Sequence, residues 1–146
     1  ASTMRIRNGG NEEVCTINEA GNLICTGTKS AVVLVEEQMR KMYALESPEV
    51  WFEDFGSGAL VNGAARVEID PLFAAAVNLA SYHIFVTPLG DCQGLYVADK
   101  TPTGFEVREL GGGTANIAFD YRLVAKRLGY ETERMELYET EAEEGE

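Results

Sequence analysis

Short apolar segments of strand length, separated by turns that contain glycine, proline or asparagine, run along most of the chain. Segments of this length that are rich in Val, Ile, Phe and Tyr predict β-strands. Beyond residue 30 they cover residues 31–35, 39–45, 50–55, 59–61, 64–69, 82–87, 94–98, 104–110 and 117–126. About eight to eleven short strands at near-regular spacing predict a mainly β fold with a sandwich or barrel-like head.

Three local signals refine this pattern. Asn62–Gly63 between two apolar segments predicts a strand–turn–strand hairpin. Gly56-Ser57-Gly58 is predicted to close the strand that begins at Val50. The one helical signal begins at Asp70-Pro71, since Asp suits an N-cap and Pro suits the first helical position. This short helix is predicted to end at Asn78 in a left-handed conformation.

The first 30 residues predict a weaker β-segment. Two apolar stretches, residues 14–17 and 23–26, flank a polar five-residue loop, which predicts a hairpin. If Ile17 pairs with Leu23, Cys15 lies opposite Cys25, and a disulfide can form at a non-hydrogen-bonded site. Two buried, unreacted thiols are the alternative. The chain holds three cysteines, so a pure disulfide framework is not expected.

An isolated two-stranded hairpin is marginal in water, so this segment is predicted to pair with copies of itself. We therefore divide the chain into a shaft-like β-segment (residues 1–30), a β-rich head (31–130) and an acidic tail (131–146). The tail could form an amphipathic helix that makes contacts through Met135, Leu137 and Tyr138. An intertwined homotrimer is the expected assembly.

Charge narrows the range of partners. The formal net charge is −12, of which residues 131–146, with eight Glu and one Arg, supply −7 and the first 130 residues −5. An acidic chain repels phosphate backbones and anionic lipid surfaces, so nucleic acid is not an expected partner. No stretch reaches the roughly 20 apolar residues that span a bilayer, and we expect neither membrane insertion nor a signal peptide within these residues.

Candidate catalytic and metal-binding residues are few. His83 is the single histidine, and the cysteines show no CxxC spacing, so neither a metal nor another cofactor is predicted. Ser57 lacks the spacing of a nucleophile elbow, which also requires a following helix. Gly111–Thr114 lacks the lysine of a phosphate-binding loop. The sequence therefore predicts a protein that is not an enzyme.

One cluster combines aromatic and acidic side chains. Trp51, Phe52, Glu53 and Asp54 are consecutive, and Glu49 is close by. Carboxylates beside an aromatic platform can bind sugars or calcium, and paired carboxylates can hydrolyse glycosides. A structural or solvated role is the alternative. We take Trp51, Phe52, Glu53 and Asp54 as the candidate ligand-binding residues, with no catalytic residue assigned.

Four segments carry a resemblance to a known kind of protein. They are WFEDFGSG (51–58), YHIFVTP (82–88), GFEVRELGGG (104–113) and AKRLGYE (125–131). Together they resemble a C-terminal domain of long, bacterial and phage-derived, fibre-like surface proteins, over about residues 20 to 135. The resemblance implies a homotrimer at the tip of a β-rich shaft, and it supplies no catalytic residues.

The sequence thus leads to one expected function and two alternatives. We expect a non-enzymatic, trimeric fibre-tip head that caps a filament, contacts a surface glycan or protein, and acts in adhesion outside the cell or on a virion. A carbohydrate-binding module and a filament-forming subunit are the alternatives.

Overall fold

The structure is a computed structural model that describes residues 4–138. It is mainly β, with one short α-helix and one 3-10 turn at Leu110–Gly112, as the apolar pattern predicts. The chain divides between Glu46 and Ser47 into an N-terminal unit and a head. The N-terminal unit contains β1 (Met4–Arg7), β2 (Glu13–Ile17), β3 (Leu23–Cys25), β4 (Ser30–Val35) and β5 (Gln38–Tyr43). The head contains β6 (Trp51–Ala59), β7 (Ala64–Glu68), α1 (Pro71–Ala76), β8 (Val77–Pro88), β9 (Leu95–Thr101), β10 (Gly104–Glu109) and β11 (Ala118–Arg127).

In the N-terminal unit, β1, β2 and β3 form one antiparallel sheet with β2 in the centre. Ile17 pairs with Leu23 and Cys15 with Cys25, which is the register predicted from the loop length. The two cysteines form a disulfide and are half-buried, so the alternative of two buried thiols is wrong. Because the amide of Thr26 donates to the Val14 carbonyl (3.1 Å), the cysteine pair occupies a non-hydrogen-bonded site.

The unit boundary lies farther along the chain than the sequence analysis placed it. Strands β4 and β5 were assigned to the head, but they pair only with each other, from Ser30–Tyr43 to Val35–Gln38. The contacts of this hairpin place it in the N-terminal unit. The apolar pattern located both strands correctly, but it carries no information about which strands they pair with.

The head is a small sandwich of two three-stranded antiparallel sheets, ordered β6-β11-β8 and β7-β10-β9. The inward-facing residues of both sheets meet in one core, where the rings of Phe105 and Tyr121 lie edge to face at 5.3 Å. The largest fully buried side chains are Phe105, Phe119, Leu60, Leu123 and Val107. The best-patterned strand, β11, occupies the centre of its sheet and contributes Phe119, Leu123 and Ala125 to this core.

The Asn62–Gly63 turn connects the two sheets and does not close a hairpin. Both residues have positive φ (51° and 79°), and Val61 bridges Ala64, as in the tight turn that the sequence predicts. The flanking strands nevertheless separate, because β6 pairs with β11 while β7 pairs with β10. Leu60, which is 2% exposed, enters the core between them, so the predicted pairing is wrong.

The segment Gly56-Ser57-Gly58 lies inside β6, which contradicts the predicted strand end. A Cβ atom on Gly56 would lie 2.3 Å from the Tyr121 hydroxyl oxygen, and one on Gly58 would lie 2.4 Å from Phe119 Cζ. The glycines therefore leave room for two aromatic rings on the neighbouring strand. Their role is close packing, so they do not interrupt the strand.

The predicted helix start is confirmed. The Asp70 carboxylate accepts hydrogen bonds from the amides of Leu72 (2.7 Å) and Phe73 (2.9 Å). The predicted end is wrong: Val77 is extended, with φ −131°, and the chain passes directly into β8, so Asn78 is a strand residue. Over residues 4–138 no helix is long and apolar enough to cross a membrane.

The first part of the acidic tail does not form the predicted amphipathic helix. Residues 131–138 contain turns and irregular backbone, and Met135 has a positive φ of 45°. Its amide donates to the Pro48 carbonyl (3.0 Å), which ties this segment to the start of the head. Leu137 and Tyr138 are exposed. Residues 139–146 lie outside the described part of the chain.

Candidate functional site

The outer surface of the β6-β11-β8 sheet, here called the aromatic face, is the candidate functional site. Side chains alternate along a strand, so the residues that do not face the core share this surface. The strand register aligns them in cross-strand rows. The aromatic face consists of Trp51, Glu53, Phe55 and Ser57 from β6, Asp120, Arg122, Val124 and Lys126 from β11, and His83, Phe85 and Thr87 from β8.

A phenylalanine–arginine–phenylalanine row crosses the centre of the aromatic face. Arg122 is directly opposite Phe55 on one side and Phe85 on the other. The phenyl rings are exposed (65% and 57%), and the guanidinium lies 5.8 Å from the Phe85 ring centroid. Arg122 Nε also donates to the Glu53 carboxylate at 2.6 Å. The row thus combines two exposed rings with a cation whose charge is already paired.

Trp51 lies at one end of the aromatic face and is half-buried. Its ring is 5.5 Å from that of His83, and the Lys126 ammonium lies 5.7 Å from its centroid. Lys126 also pairs with the Glu49 carboxylate (2.9 Å), which Arg134 approaches at 3.3 Å. The pKa of Glu49 is lowered, chiefly by the hydrogen bond from Lys126. Glu49 is therefore a carboxylate that neutralises neighbouring cations.

The opposite outer surface of the sandwich, on the β7-β10-β9 sheet, has a different chemistry. Arg108 pairs there with Glu106 (2.5 Å) and Asp99 (3.1 Å), and Arg66 pairs with Glu68 at 3.2 Å. The pKa of Arg108 is raised, first of all by its hydrogen bond to Glu106. Exposed ion pairs of this kind are typical of a solvated surface. Both outer faces thus carry exposed ion pairs, and the aromatic face differs in its two exposed phenylalanine rings.

The four predicted ligand-binding residues do not form one site. Trp51 and Glu53 belong to the aromatic face, whereas Phe52 and Asp54 lie opposite Ala125 and Leu123 on the inward side of the same strand. Burial raises the pKa of the Tyr121 hydroxyl, and the Asp54 charge raises it further, which agrees with this inward position. Strand alternation therefore separates Glu53 from Asp54, and these adjacent carboxylates cannot flank a single sugar bond.

The remaining sequence candidates have structural partners. Ser57 lies within a strand, and its hydroxyl donates to the Asp120 carboxylate at 2.6 Å. His83 is exposed on the aromatic face beside Trp51. Within residues 4–138, no three His, Cys, Asp or Glu side chains are grouped so that they could hold a metal ion.

Glu109 organises the glycine-rich loop, a role that the sequence analysis missed. This carboxylate is 6% exposed and accepts hydrogen bonds from the amides of Gln93 (2.9 Å) and Ala115 (2.7 Å). These two bonds lower its pKa, although burial opposes them. A Cβ atom on Gly113 would lie 2.1 Å from the carboxyl carbon. Residues 105, 107 and 109 lie on the same side of β10, and Phe105 and Val107 are apolar. This alternation was visible in the sequence and could have predicted that Glu109 faces inward.

A second exposed surface occurs in the N-terminal unit, on the β4–β5 hairpin. Leu34 and Met39 are cross-strand partners that are 68% and 67% exposed, and Tyr43 on the same side is also exposed. Val35 and Met42 are exposed on the other side. Each side also carries one cation, Lys41 opposite Val32 and Arg40 opposite Val33, so the hairpin is mostly apolar on both sides. A two-stranded hairpin is marginally stable without further packing.

Comparisons with protein-family models, with curated proteins and with solved structures returned no match. The resemblance to fibre-tip domains therefore remains a prediction from the sequence segments that carry it.

Proposed function

We propose that this protein is a non-enzymatic structural module that forms a homotrimer and acts as the tip of a fibre. The observation that carries the proposal is the β4–β5 hairpin, whose two sides are both mostly apolar and exposed. Isolated exposed apolar residues are ordinary, but a contiguous group of them marks an interaction surface.

Burial of the hairpin supplies a driving force for association. Full burial of an exposed Leu or Met side chain contributes roughly 1.5–3 kcal/mol. Leu34, Met39 and Met42 are 62–68% exposed, so burying what remains contributes roughly 3–6 kcal/mol per chain. Association costs about 4–15 kcal/mol in lost translational and rotational freedom. Forming a trimer incurs this cost twice, but each hairpin then has two neighbours, so both of its sides can be buried, whereas a pairwise contact covers only one side of each hairpin.

The Cys15–Cys25 disulfide supports both the shaft-like role and the proposed location. It joins neighbouring strands within a small sheet, whose residues are mostly exposed or half-buried. Closing a loop of this size stabilises a folded chain by about 2–3 kcal/mol, which compensates for a small core. Disulfides persist in oxidising compartments, in agreement with a fibre outside the cell or on a virion.

The test is the molar mass of the intact chain by light scattering behind a sizing column. We expect a mass near three times 15.9 kDa. A Leu34→Lys/Met39→Lys variant should dissociate, because it replaces the two most exposed apolar side chains of one side of the hairpin by charges. Leu72→Lys, at an 83% exposed position on α1, is the matched control and should keep the wild-type mass. A monomer at every concentration would refute the proposal.

The same measurement separates a fibre tip from a filament-forming subunit. A closed trimer gives a mass that reaches a plateau with concentration, whereas an open filament gives a mass that keeps rising. The first result supports the tip, and the second supports the filament subunit.

A carbohydrate-binding module is the second candidate function. It is favoured by the position of Trp51 beside His83 on an exposed sheet face that also carries Glu53 and Arg122. This function predicts glycan binding by the monomer and loss of that binding in Trp51→Ala. An immobilised glycan panel that gives no signal would exclude the glycans it displays.

A further inference from the structure

We propose that the aromatic face is the surface through which the heads associate, and that it packs against the aromatic faces of other copies of this chain. This inference rests on the proposed homotrimer and identifies a second contact surface within it. In a trimer, three such faces would surround a common axis.

The composition of the face is the first argument. The residues that contribute most to protein interfaces are Trp, Tyr and Arg, grouped near the centre and surrounded by other contacts. Here Arg122 occupies the central strand between the exposed rings of Phe55 and Phe85, and Trp51 lies on the same face. The opposite outer face of the sandwich carries the ion pairs of Arg66 and Arg108 and, within the described part of the chain, lacks this row of exposed phenyl rings.

Charge is the second argument, and it selects the partner. The aromatic face holds two carboxylates, Glu53 and Asp120, and two cations, Arg122 and Lys126, so its formal charge is zero with His83 neutral. The whole chain carries −12. Copies of an acidic protein repel one another, and a face without net charge does not add to that repulsion when two copies meet there.

The central cation is prepared for burial. Arg122 contacts the Glu53 carboxylate through Nε and through a terminal nitrogen, both at 2.6 Å. A paired charge can lose its water shell at a much lower cost than an isolated one. The Arg122–Glu53 pair can therefore enter an interface without a new partner from the neighbouring chain.

The area of the aromatic face explains why association of the heads depends on contacts that the N-terminal unit makes. Strands of about nine residues at ~3.3 Å per residue, spaced ~4.8 Å apart, give a face of roughly 30 by 14 Å, or about 400 Å². A standard interface buries about 800 Å² per partner. The aromatic face alone is too small for tight association, but chains that are already joined elsewhere meet at a high effective concentration.

The β6 edge of the sheet is a poorer contact surface than the aromatic face. Strand β6 lies at the edge of its sheet, and Asp54 on this strand points to the inward side. An inward-pointing charge on an edge strand is a common protection against pairing with another chain. Association through the face is compatible with this protection, whereas strand addition at β6 would have to overcome it.

The experiment compares Phe55→Lys/Phe85→Lys with wild type and with Leu72→Lys. The first measurement is the mass by light scattering over a dilution series. The second is acrylamide quenching of Trp51, which is the only tryptophan and lies on the aromatic face. We expect the double variant to raise the dissociation constant about tenfold or more. We also expect Trp51 to become more quenchable on dissociation, and Leu72→Lys to match wild type.

Two results would overturn the inference, and they differ in what they imply. If the wild-type chain is a monomer throughout, both the trimer and the face contact are wrong. If it is a trimer, but the double variant keeps the wild-type mass and Trp51 quenching, the face contact is wrong while the proposed function stands. Circular dichroism of the double variant must match wild type, which is expected because both phenylalanines are exposed.

Discussion

Substitution of Gly58 by alanine tests how the head accommodates Phe119, one of its fully buried rings. The new Cβ atom would lie 2.4 Å from Phe119 Cζ and 2.9 Å from Cε1. Ordinary carbon–carbon contacts are about 3.5–4.0 Å, so the ring or the strand must move by roughly 1 Å. Phe119 is 0% exposed and lies in the densely packed core, where such a movement disturbs its neighbours.

The magnitude follows from two opposing effects. Overpacking of a well-packed core costs about 1–3 kcal/mol, whereas replacing glycine within a strand regains roughly 0.5–1 kcal/mol of backbone entropy. We expect a net loss of about 1–2 kcal/mol. For a unit of this size, 1 kcal/mol lowers Tm by roughly 4–8 °C, so the expected decrease is roughly 4–16 °C.

The assay is thermal and urea unfolding followed by Trp51 fluorescence, since Trp51 belongs to the same sheet as Gly58. Gly27→Ala is the control, because its Cβ would meet nothing within 4 Å. In the Gly58→Ala background, Phe119→Leu should cost less than it does in wild type, because the smaller side chain relieves the contact. A Gly58→Ala variant as stable as wild type, or additive effects of the two substitutions, would refute this packing argument.

Three further predictions concern the N-terminal unit and the Glu109 loop. Glu36→Asn/Glu37→Gly should stabilise the β4–β5 hairpin by about 1–2 kcal/mol, because both glutamates have positive φ (49° and 63°); unchanged hydrogen exchange of residues 30–43 would count against this. Replacing Cys15 and Cys25 by serine should lower the stability of the N-terminal unit by roughly 2–3 kcal/mol and leave Trp51 unfolding unchanged; equal stability of the N-terminal unit in both proteins would contradict it. Glu109 has a lowered folded pKa, so its contribution is present above its ordinary pKa of 4.5 and is lost as the pH falls through the folded value. Protection of the two amides that it binds should therefore decrease in acid in wild type and be weak at every pH in Glu109→Gln; acid-independent protection in wild type would exclude this role.

Features set by neighbouring residues could be predicted from the sequence. The Asp70 cap depends on two amides within three residues, and the tight turn at Asn62–Gly63 depends on two residues that tolerate positive φ. The Cys15–Cys25 pairing depends only on the length of one loop. In each case the deciding interaction lies within about ten residues, so the local pattern contains it.

Features set by distant residues could not be predicted in this way. Gly58 reads as a turn residue until Phe119 is known to lie across from it, 61 positions away in sequence. The separation of β6 from β7 likewise depends on β10 and β11, which compete for them as partners. The split of the candidate site is a different case, because it could have been predicted from the sequence. Alternation along β6 places Trp51 and Phe52 on opposite sides of the strand. The alternation of side chains was therefore visible in the sequence, and it already argued against a single site made of four consecutive residues.

The central position of β11 sets an order of events during synthesis. Strands β6 and β8 have no partner within their sheet until β11 has been made, because both pair with it. The hairpins of the N-terminal unit, by contrast, pair over short distances and need nothing beyond Glu46. Local contacts form quickly and distant ones slowly, so the strands of the N-terminal unit would begin to pair in a nascent chain while the head is still incomplete. If the chain forms the proposed homotrimer, the hairpins of chains made on one messenger RNA are available to each other before any head has folded.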